Sequence, residues 1–411
     1  MVIAGEASGD RLGAELVRFL RDELTTFEAT PTTDYQPLHA SLEPRFFGAG
    51  GPAMSAAGVD LAIDMTEHSV IGLSEVLRNL SKFHRLLRHL YQLALEREPD
   101  AIICIDFSGF NRRFGRAIKD YARSRQDWFH DWDPKLIQYV SPQVWASREG
   151  RAAQMACDLD LLITIFPFEK DWYARRVPRL RVEFVGHPML DRYGPGPAIP
   201  AVPSDSVGSP RVVLLPGSRP GELARHLPVM TGALKTLRQD FPDLRARMVL
   251  PNETLAQQAK AIGLPPELEL NLDALPETLA EADLAIASTG TVTMECALFR
   301  VPTVALYKTS WSTYQIARQI VKVKYLAMPN LLANEELYPE FIQGAATAQN
   351  IGRAAAELIR DPPRRQRVKT RLAEIVAALG GPGASRRTAQ AIVRLLQVNR
   401  SEQERTEVNR S

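Results

Sequence analysis

The chain has 411 residues, 45% hydrophobic and 24% charged, which is enough apolar material for sizeable cores and excludes wholesale disorder. It is longer than one compact core usually grows, so two domains of about 200 residues are expected. Fifty Lys and Arg against 48 Asp and Glu leave a formal charge of +2, so no global field recruits nucleic acid, and any basic partner surface must be local.

In chain order, Val2-Ile3-Ala4 reads as a first strand. It is shorter than the usual five or so residues of a buried strand, which favours a start upstream of Met1. Gly5-Glu6-Ala7-Ser8-Gly9-Asp10 follows, ahead of a helical pattern at Leu12, Leu16, Phe19 and Leu20. Small residues there let backbone N–H groups approach a ligand at a helix N-terminus, while a tight turn with Ser8 or Asp10 as helix cap is the structural alternative. The spacing is not the G-x-G-x-x-G of dinucleotide folds.

Between Leu73 and Leu90, the residues Leu73, Val76, Leu77, Leu80 and Leu87 share one helical face, and Arg78, Lys82, Arg85 and His89 share another. Such a basic amphipathic segment suits an anionic membrane surface, or a core-facing helix with a solvated basic edge. The apolar strand Ala101–Ile105 then ends in Asp106-Phe107-Ser108-Gly109-Phe110-Asn111. A carboxylate at that strand end is a candidate general base, helped if partial burial raises its pKa; capping the next helix is the alternative.

Further strands are expected at Arg45–Phe47, Lys135–Val140, Leu161–Thr164 and Val182–Val185, each separated by sequence of helical length, the signature of βαβ units on a parallel sheet. A Pro/Gly-rich stretch from Gly194 to Pro210 can be neither helix nor central strand and reads as a linker. The pattern restarts with strands at Arg211–Leu215, Arg247–Leu250, Asp283–Ala287 and Thr303–Leu306. Two α/β domains follow, with ligands expected beyond the strand C-termini in a central cleft.

Two loops of the second half carry phosphate-binding chemistry. Pro216-Gly217-Ser218-Arg219-Pro220-Gly221-Glu222 combines free N–H groups, a hydroxyl and an Arg fork at a strand end, as a diphosphate requires. Ser288-Thr289-Gly290-Thr291 offers hydroxyls and N–H groups after the next strand, with Glu295 one turn into the following helix. Glu295 can accept both hydroxyls of a ribose, or form a capping box with Thr291. The three cysteines form no disulfide or zinc spacing, and the seven histidines include no H-E-x-x-H, so no metal is expected. His187, in Gly186-His187-Pro188, can face the cleft or satisfy a loop carbonyl. No apolar run approaches the ~20 residues that span a bilayer, and a cytoplasmic protein, peripheral to the membrane, is expected.

Seven motifs occur in order: AGEASGD at Ala4–Asp10, GAGGPAM at Gly48–Met54, YVSPQVWA at Tyr139–Ala146, FPFEKDWY at Phe166–Tyr173, FVGHPMLD at Phe184–Asp191, LLPGSR at Leu214–Arg219 and PNLLA at Pro329–Ala333. In this order the chain resembles the lipid-A-disaccharide synthases over nearly its whole length. The resemblance implies a GT-B glycosyltransferase: two Rossmann-like domains with parallel sheets facing a central cleft, working without cofactor or metal. It implies inverting transfer of diacylglucosamine from UDP-2,3-diacylglucosamine to the 6-hydroxyl of 2,3-diacylglucosamine 1-phosphate, on the inner face of the inner membrane; a homodimer is left open. The implied division is an acceptor domain with a membrane-associating helix at 1–193, a linker at 194–210, a UDP-sugar domain at 211–380, a helix at 381–400 able to return to the first domain, and a disordered tail at 401–411.

By the same resemblance Asp106 is the base, Ser218 and Arg219 contact the diphosphate, Glu295 is the ribose ligand and Asn330 lies near the nucleotide. In the two loops Gly217, Glu222, Ser288, Thr289, Gly290 and Thr291 are substrate-binding candidates. Gly5, Glu6, Ser8, Gly9, Asp10, Asn111, Ser141 and His187 are the remaining substrate-binding candidates. Three departures stand out. Ser108 and Gly109 replace the Pro and second Asp of the family's D-x-P-D-F-N, which rules out an Asp dyad; Ser147 replaces a second Trp; and the 288–291 loop is one residue longer than the family's S-G-T. A UDP-sugar 2-epimerase of the same fold and a non-catalytic lipid-binding homologue are the competing functions.

Overall fold

A computed structural model of the protein describes residues 1–28, 43–65, 80–126, 130–193 and 209–408. Two compact units emerge, Met1–Arg192 together with the segment from Gly380, and Tyr193–Leu379.

The first unit is built on a seven-stranded sheet, in the order β3-β2-β1-β4-β5-β6-β7, among the described residues. Its strands are β1 Val2–Ala4, β2 Phe47–Gly50, β3 Asp60–Asp64, β4 Ala101–Ile105, β5 Lys135–Tyr139, β6 Leu161–Thr164 and β7 Val182–Phe184. All neighbours pair in parallel. The all-apolar β4 is central and buried, as expected of a parallel strand covered by helices on both faces. Short β1 is fully buried, so its three residues suffice as a central strand because both neighbours hold it in register.

On one face, the helix Ala7–Glu28 contributes Leu16, Val17 and Leu20 to the core. The helix Ala384–Val408 packs beside it, adding Ala384, Ala389, Ile392 and Val393. Asp191 fixes the start of that C-terminal helix by accepting from the Gly383, Ala384 and Ser385 N–H groups. The helix runs through Val408, past Ser401, where a tail is expected from the sequence; residues 409–411 lie outside the described residues. An anchored helix already carries its nucleus, so Glu, Gln and Arg residues extend it at little cost.

On the other face, the helix Leu80–Arg97 buries Leu90 and Ala94 and packs Phe83, Leu86 and Leu87 against the core. His84, Arg85, Arg88 and His89 are exposed. In its described part the segment is therefore a core-facing helix with a solvated basic edge; Leu73, Val76, Leu77 and Arg78 lie outside the described residues.

The second unit holds a parallel six-stranded sheet, β10-β9-β8-β11-β12-β13, among the described residues. The strands are β8 Arg211–Leu215, β9 Arg245–Leu250, β10 Leu268–Leu272, β11 Leu284–Ser288, β12 Thr303–Tyr307 and β13 Glu340–Ile342. The helix Pro220–Asp240 sends Leu223, Leu227, Met230, Leu234 and Leu237, spaced at helical period, into the core against the helix Ala348–Arg360. Residues 194–208 of the expected linker lie outside the described residues.

Candidate active site

In the second unit β8 and β11 lie side by side, with Leu215 opposite Ala287. The loops after them therefore leave the sheet together, each entering a helix, Pro220–Asp240 and Thr291–Leu298. The chain passes to opposite sides of the sheet after these two strands, so this is the switch point where open α/β sheets take ligands. Two helix N-termini then present N–H groups and partial positive charge at one place.

Gly217 has φ +113°, a left-handed backbone that turns the loop, and a Cβ there would stand 2.5 Å from the Glu222 Oε2. Ser218 and Arg219 are exposed, and the Arg219 Nη1 lies 3.7 Å from the Glu222 Oε1. In the second loop Ser288 is buried, Thr289 partly so, and Gly290 and Thr291 are exposed. Gly290 is the N-cap, and the Thr293 hydroxyl donates to its carbonyl at 2.7 Å. With Thr291 already helical, the Thr291–Glu295 capping box does not form. Glu295 instead accepts from the Tyr193 hydroxyl at 3.0 Å.

His226 was not expected to matter, yet it ties this edge together. Fully buried, it meets the Pro216 carbonyl through Nδ1 at 2.7 Å and accepts the Lys308 N–H at Nε2, 3.0 Å. Burial lowers its pKa, keeping the ring neutral with one donor and one acceptor. It thereby fixes the loop after β8 against the loop after β12.

Asn330 is corrected from nucleotide contact to scaffold. It has no exposed surface, its amide nitrogen donates to the Tyr338 carbonyl and Glu340, and its oxygen accepts the Leu337 and Tyr338 N–H groups, at 2.7–2.9 Å. All four of its hydrogen-bonding positions are used within the protein.

In the first unit, β1 and β4 pair with Ala4 opposite Ile105, which sets the Gly5 loop beside Asp106. A Cβ on Gly5 would meet the Phe107 ring at 2.4 Å, so glycine is required for the two loops to touch. Glu6 is partly buried, Ser8 is exposed in the first turn of the helix Ala7–Glu28, and Gly9 packs on Ala4 and Ile105. Asp10 is buried and accepts the Gly51, Ala53 and Met54 N–H groups at 2.8–3.0 Å. Both its oxygens cap the short helix Pro52–Ala56, a structural role that corrects the substrate-binding expectation and explains the GAGGPAM motif.

Asp106 is exposed, and Phe107 rather than Asp106 is the N-cap of the following helix, Ser108–Arg125. Asp106 and Phe107 hold φ of +50° and +36°, a conformation rare outside glycine. Two amides maintain it: Asn111 Nδ2 donates to the Asp106 carbonyl at 2.8 Å, and Gln138 Nε2 at 3.2 Å. Asn111 thus positions the candidate base through its backbone. A Cβ on Gly109 would meet nothing within 4 Å, so its glycine is not imposed by space.

At the ends of β5 and β6 the candidates Ser141 and His187 lie in a buried polar region with Glu169, which the sequence does not single out. Glu169, 1% exposed, accepts from Trp145 Nε1 at 3.0 Å and from the Phe166 N–H at 3.2 Å. Burial raises its carboxyl to about 7 despite those donors. Ser141 bonds the Tyr173 hydroxyl at 3.1 Å beside it. His187 is buried, accepts the Met189 N–H at Nδ1, and is lowered to about 4 by burial, with Arg192 adding to the shift. The signal was present, since FPFEKDWY places a carboxylate three residues into a helix.

The chain matches the sequence model of the lipid-A-disaccharide synthetase family over residues 1–394. It is 34% identical over 405 residues to the lipid-A-disaccharide synthase of Geobacter sulfurreducens, covering 96% of this chain and 97% of that protein. Among solved structures it resembles the kitacinnamycin glycotransferase, with TM-score 0.54, 16% identity and coverage of 96% of this chain and 98% of that one. It also resembles the UDP-GlcNAc 2-epimerase of Neisseria meningitidis, with TM-score 0.53, 10% identity and coverage of 85% and 100%. At such identities these two structures speak for the GT-B fold alone. The extent and identity of the sequence matches are decisive: the chain belongs to the lipid-A-disaccharide synthase family of glycosyltransferases.

Proposed function

We propose that the protein transfers diacylglucosamine from UDP-2,3-diacylglucosamine to the 6-hydroxyl of 2,3-diacylglucosamine 1-phosphate, with inversion, giving the β-1,6 disaccharide 1-phosphate and UDP. The observation that carries this reading is the pair of adjacent loops after β8 and β11, where two helix N-termini and the exposed Ser218 and Arg219 meet the needs of a diphosphate leaving group. The first unit supplies the acceptor side. There Asp106 takes the proton of the 6-hydroxyl as its oxygen attacks the anomeric carbon, and the bond to UDP breaks with its electron pair passing to the diphosphate. N–H groups of the two loops and the Arg219 guanidinium take up that charge. Glu295 is the ribose ligand in this reading, with Tyr193 orienting its carboxylate.

Both substrates are acylated, so the protein works at an anionic membrane surface. No helix among the described residues is long and apolar enough to cross a membrane. Support for peripheral attachment comes from the helix Trp311–Ile320, which buries no residue and leaves Trp311 74% and Ile316 57% exposed. Around it, Tyr307 to Asn334 carries Lys308, Arg318, Lys322 and Lys324 and no acid.

The test is to incubate purified protein with the UDP donor, with and without acceptor. Disaccharide formed only with acceptor, and lowered about 10²- to 10⁴-fold in Asp106→Asn, is expected. UDP release that does not depend on acceptor refutes transfer and favours isomerisation or hydrolysis.

A further inference from the structure

Beside the Asp106 loop the first unit contains a small cavity, lined among others by Ser108, Asn111, Arg112, Gln138, Arg151 and Asp158. Its enclosed space of about 30 Å³ admits one small group rather than a whole sugar. Two buried acceptors on its lining residues, Asn111 Oδ1 and Asp158 Oδ2, have no hydrogen-bond partner. Asn111 cannot turn to remedy this, because its nitrogen is committed to the Asp106 carbonyl. Buried acceptors left unpaired are costly, so the site calls for a ligand bearing hydroxyl or amide donors.

The cavity has a second character, which is cationic. Arg112 and Arg151 line it, and the Arg151 pKa is lowered by its own burial, with the charges of Arg148 and Arg112 adding to the shift. Burial is the larger cause of that shift. Arg112 bonds only the neutral Gln154 Oε1, at 2.8 Å, and among the described residues no carboxylate forms an ion pair with Arg112, Arg148 or Arg151. Asp158, the acid of the lining, is held towards its neutral form by burial, which outweighs the opposing charges of Arg116, Arg123 and Arg112, and it forms no ion pair with Arg112 among the described residues. The helix Ser108–Arg125 begins here without a side-chain cap, its first residues exposed, so its N-terminus adds positive potential. Neighbouring guanidinium groups without acidic partners repel one another until an anion joins them.

We propose that this corner binds the phosphate-bearing head of the acceptor: Arg112 and Arg151 hold a sugar phosphomonoester at the mouth, while Asn111 Oδ1 and Asp158 Oδ2 accept from a hydroxyl or amide N–H of the same sugar. The inference rests on the glycosyl-transfer reading and names the part of the first unit that selects the phosphorylated acceptor. Asn111 then links recognition to chemistry, since one amide meets the ligand with its oxygen and fixes the Asp106 loop with its nitrogen.

The test compares diacylglucosamine 1-phosphate with diacylglucosamine as acceptor in the full-length protein. Wild type should prefer the phosphorylated acceptor by about 10- to 100-fold in kcat/KM, the range expected of charge-assisted hydrogen bonds. In Arg112→Gln/Arg151→Gln that preference should collapse towards unity through the acceptor KM, with the donor KM unchanged. Should the double variant fold poorly, the single variants Arg112→Gln and Arg151→Gln, each at a partly exposed position, should each reduce the ratio. A preference retained in the variants overturns the inference while leaving glycosyl transfer standing. Failure of wild type to glycosylate either acceptor overturns the underlying reading instead.

Discussion

The buried carboxyl of Glu169 makes the stability of the first unit depend on pH in a way that one substitution should remove. Its pKa is raised from 4.5 to about 7, chiefly by burial. The folded state therefore holds the proton over a range where the unfolded chain has released it. Below about pH 4.5 both states are protonated and the contribution is fully present; it is lost as pH rises and is gone once the pH passes the folded value near 7. A shift of this size at ~1.4 kcal/mol per unit corresponds to about 3 kcal/mol.

His187 acts in an overlapping window with the opposite sign. Its pKa is depressed from 6.5 to about 4, so the unfolded chain binds the extra proton and stability rises as pH climbs through that interval. The wild-type profile alone is thus ambiguous, and the difference from Glu169→Gln is the informative quantity. Glutamine does not titrate; its one oxygen serves either the Trp145 donor, which now meets Oε1, or the Phe166 N–H, which now meets Oε2, and turning its NH2 to the other is a cost that does not change with pH. Urea denaturation from pH 4.5 to 8, followed by Trp fluorescence, should show the variant gaining about 3 kcal/mol on wild type across that range. A difference that does not change with pH would refute the reasoning.

The other predictions concern single sites. Asn330→Ala strands the Tyr338 N–H and carbonyl in the interior and leaves the Leu337 N–H only its longer bond to the Glu335 carbonyl, and should cost the second unit about 2–4 kcal/mol, measurable as a lowered Tm. Gly217→Ala has to adopt a left-handed backbone and displace Glu222, so UDP affinity should fall at least about tenfold at unchanged helix content by circular dichroism; unchanged affinity would place the diphosphate elsewhere. Trp311→Ser/Ile316→Ser should weaken flotation with anionic vesicles and leave the Tm intact, because neither side chain is buried; equal flotation of variant and wild type would remove this helix from the membrane-binding surface.

Much of the architecture is legible in sequence because central parallel strands are buried on both faces and must be written as apolar runs. Ala101–Ile105, Leu161–Thr164 and Arg211–Leu215 announce themselves in that way. The strands that escaped notice are β3, β10 and β13, and all three lie at sheet edges, where one side meets solvent and the apolar signal breaks up. Gly217, Ser218 and Arg219 could be nominated from sequence for a related reason: a loop directly after a strand and before a helix has its place fixed by the elements on either side.

What one sequence determines about this protein is thus local and periodic: alternation of strand and helix, glycine-bearing turns at strand ends, and an ordered set of motifs that marks the family. Tertiary structure alone decides which polar residues of those motifs remain available. Asp10 and Asn330 look like ligand contacts in sequence, yet both are buried and their hydrogen-bonding positions are taken up by groups of other segments, whereas Asp106 is exposed, on a strained turn. Glu169 and His187 acquire shifted pKa values only through burial by surrounding segments. The physical reason is that hydrogen-bond satisfaction and desolvation depend on which groups the fold brings together, and a residue's neighbours in the chain do not specify them.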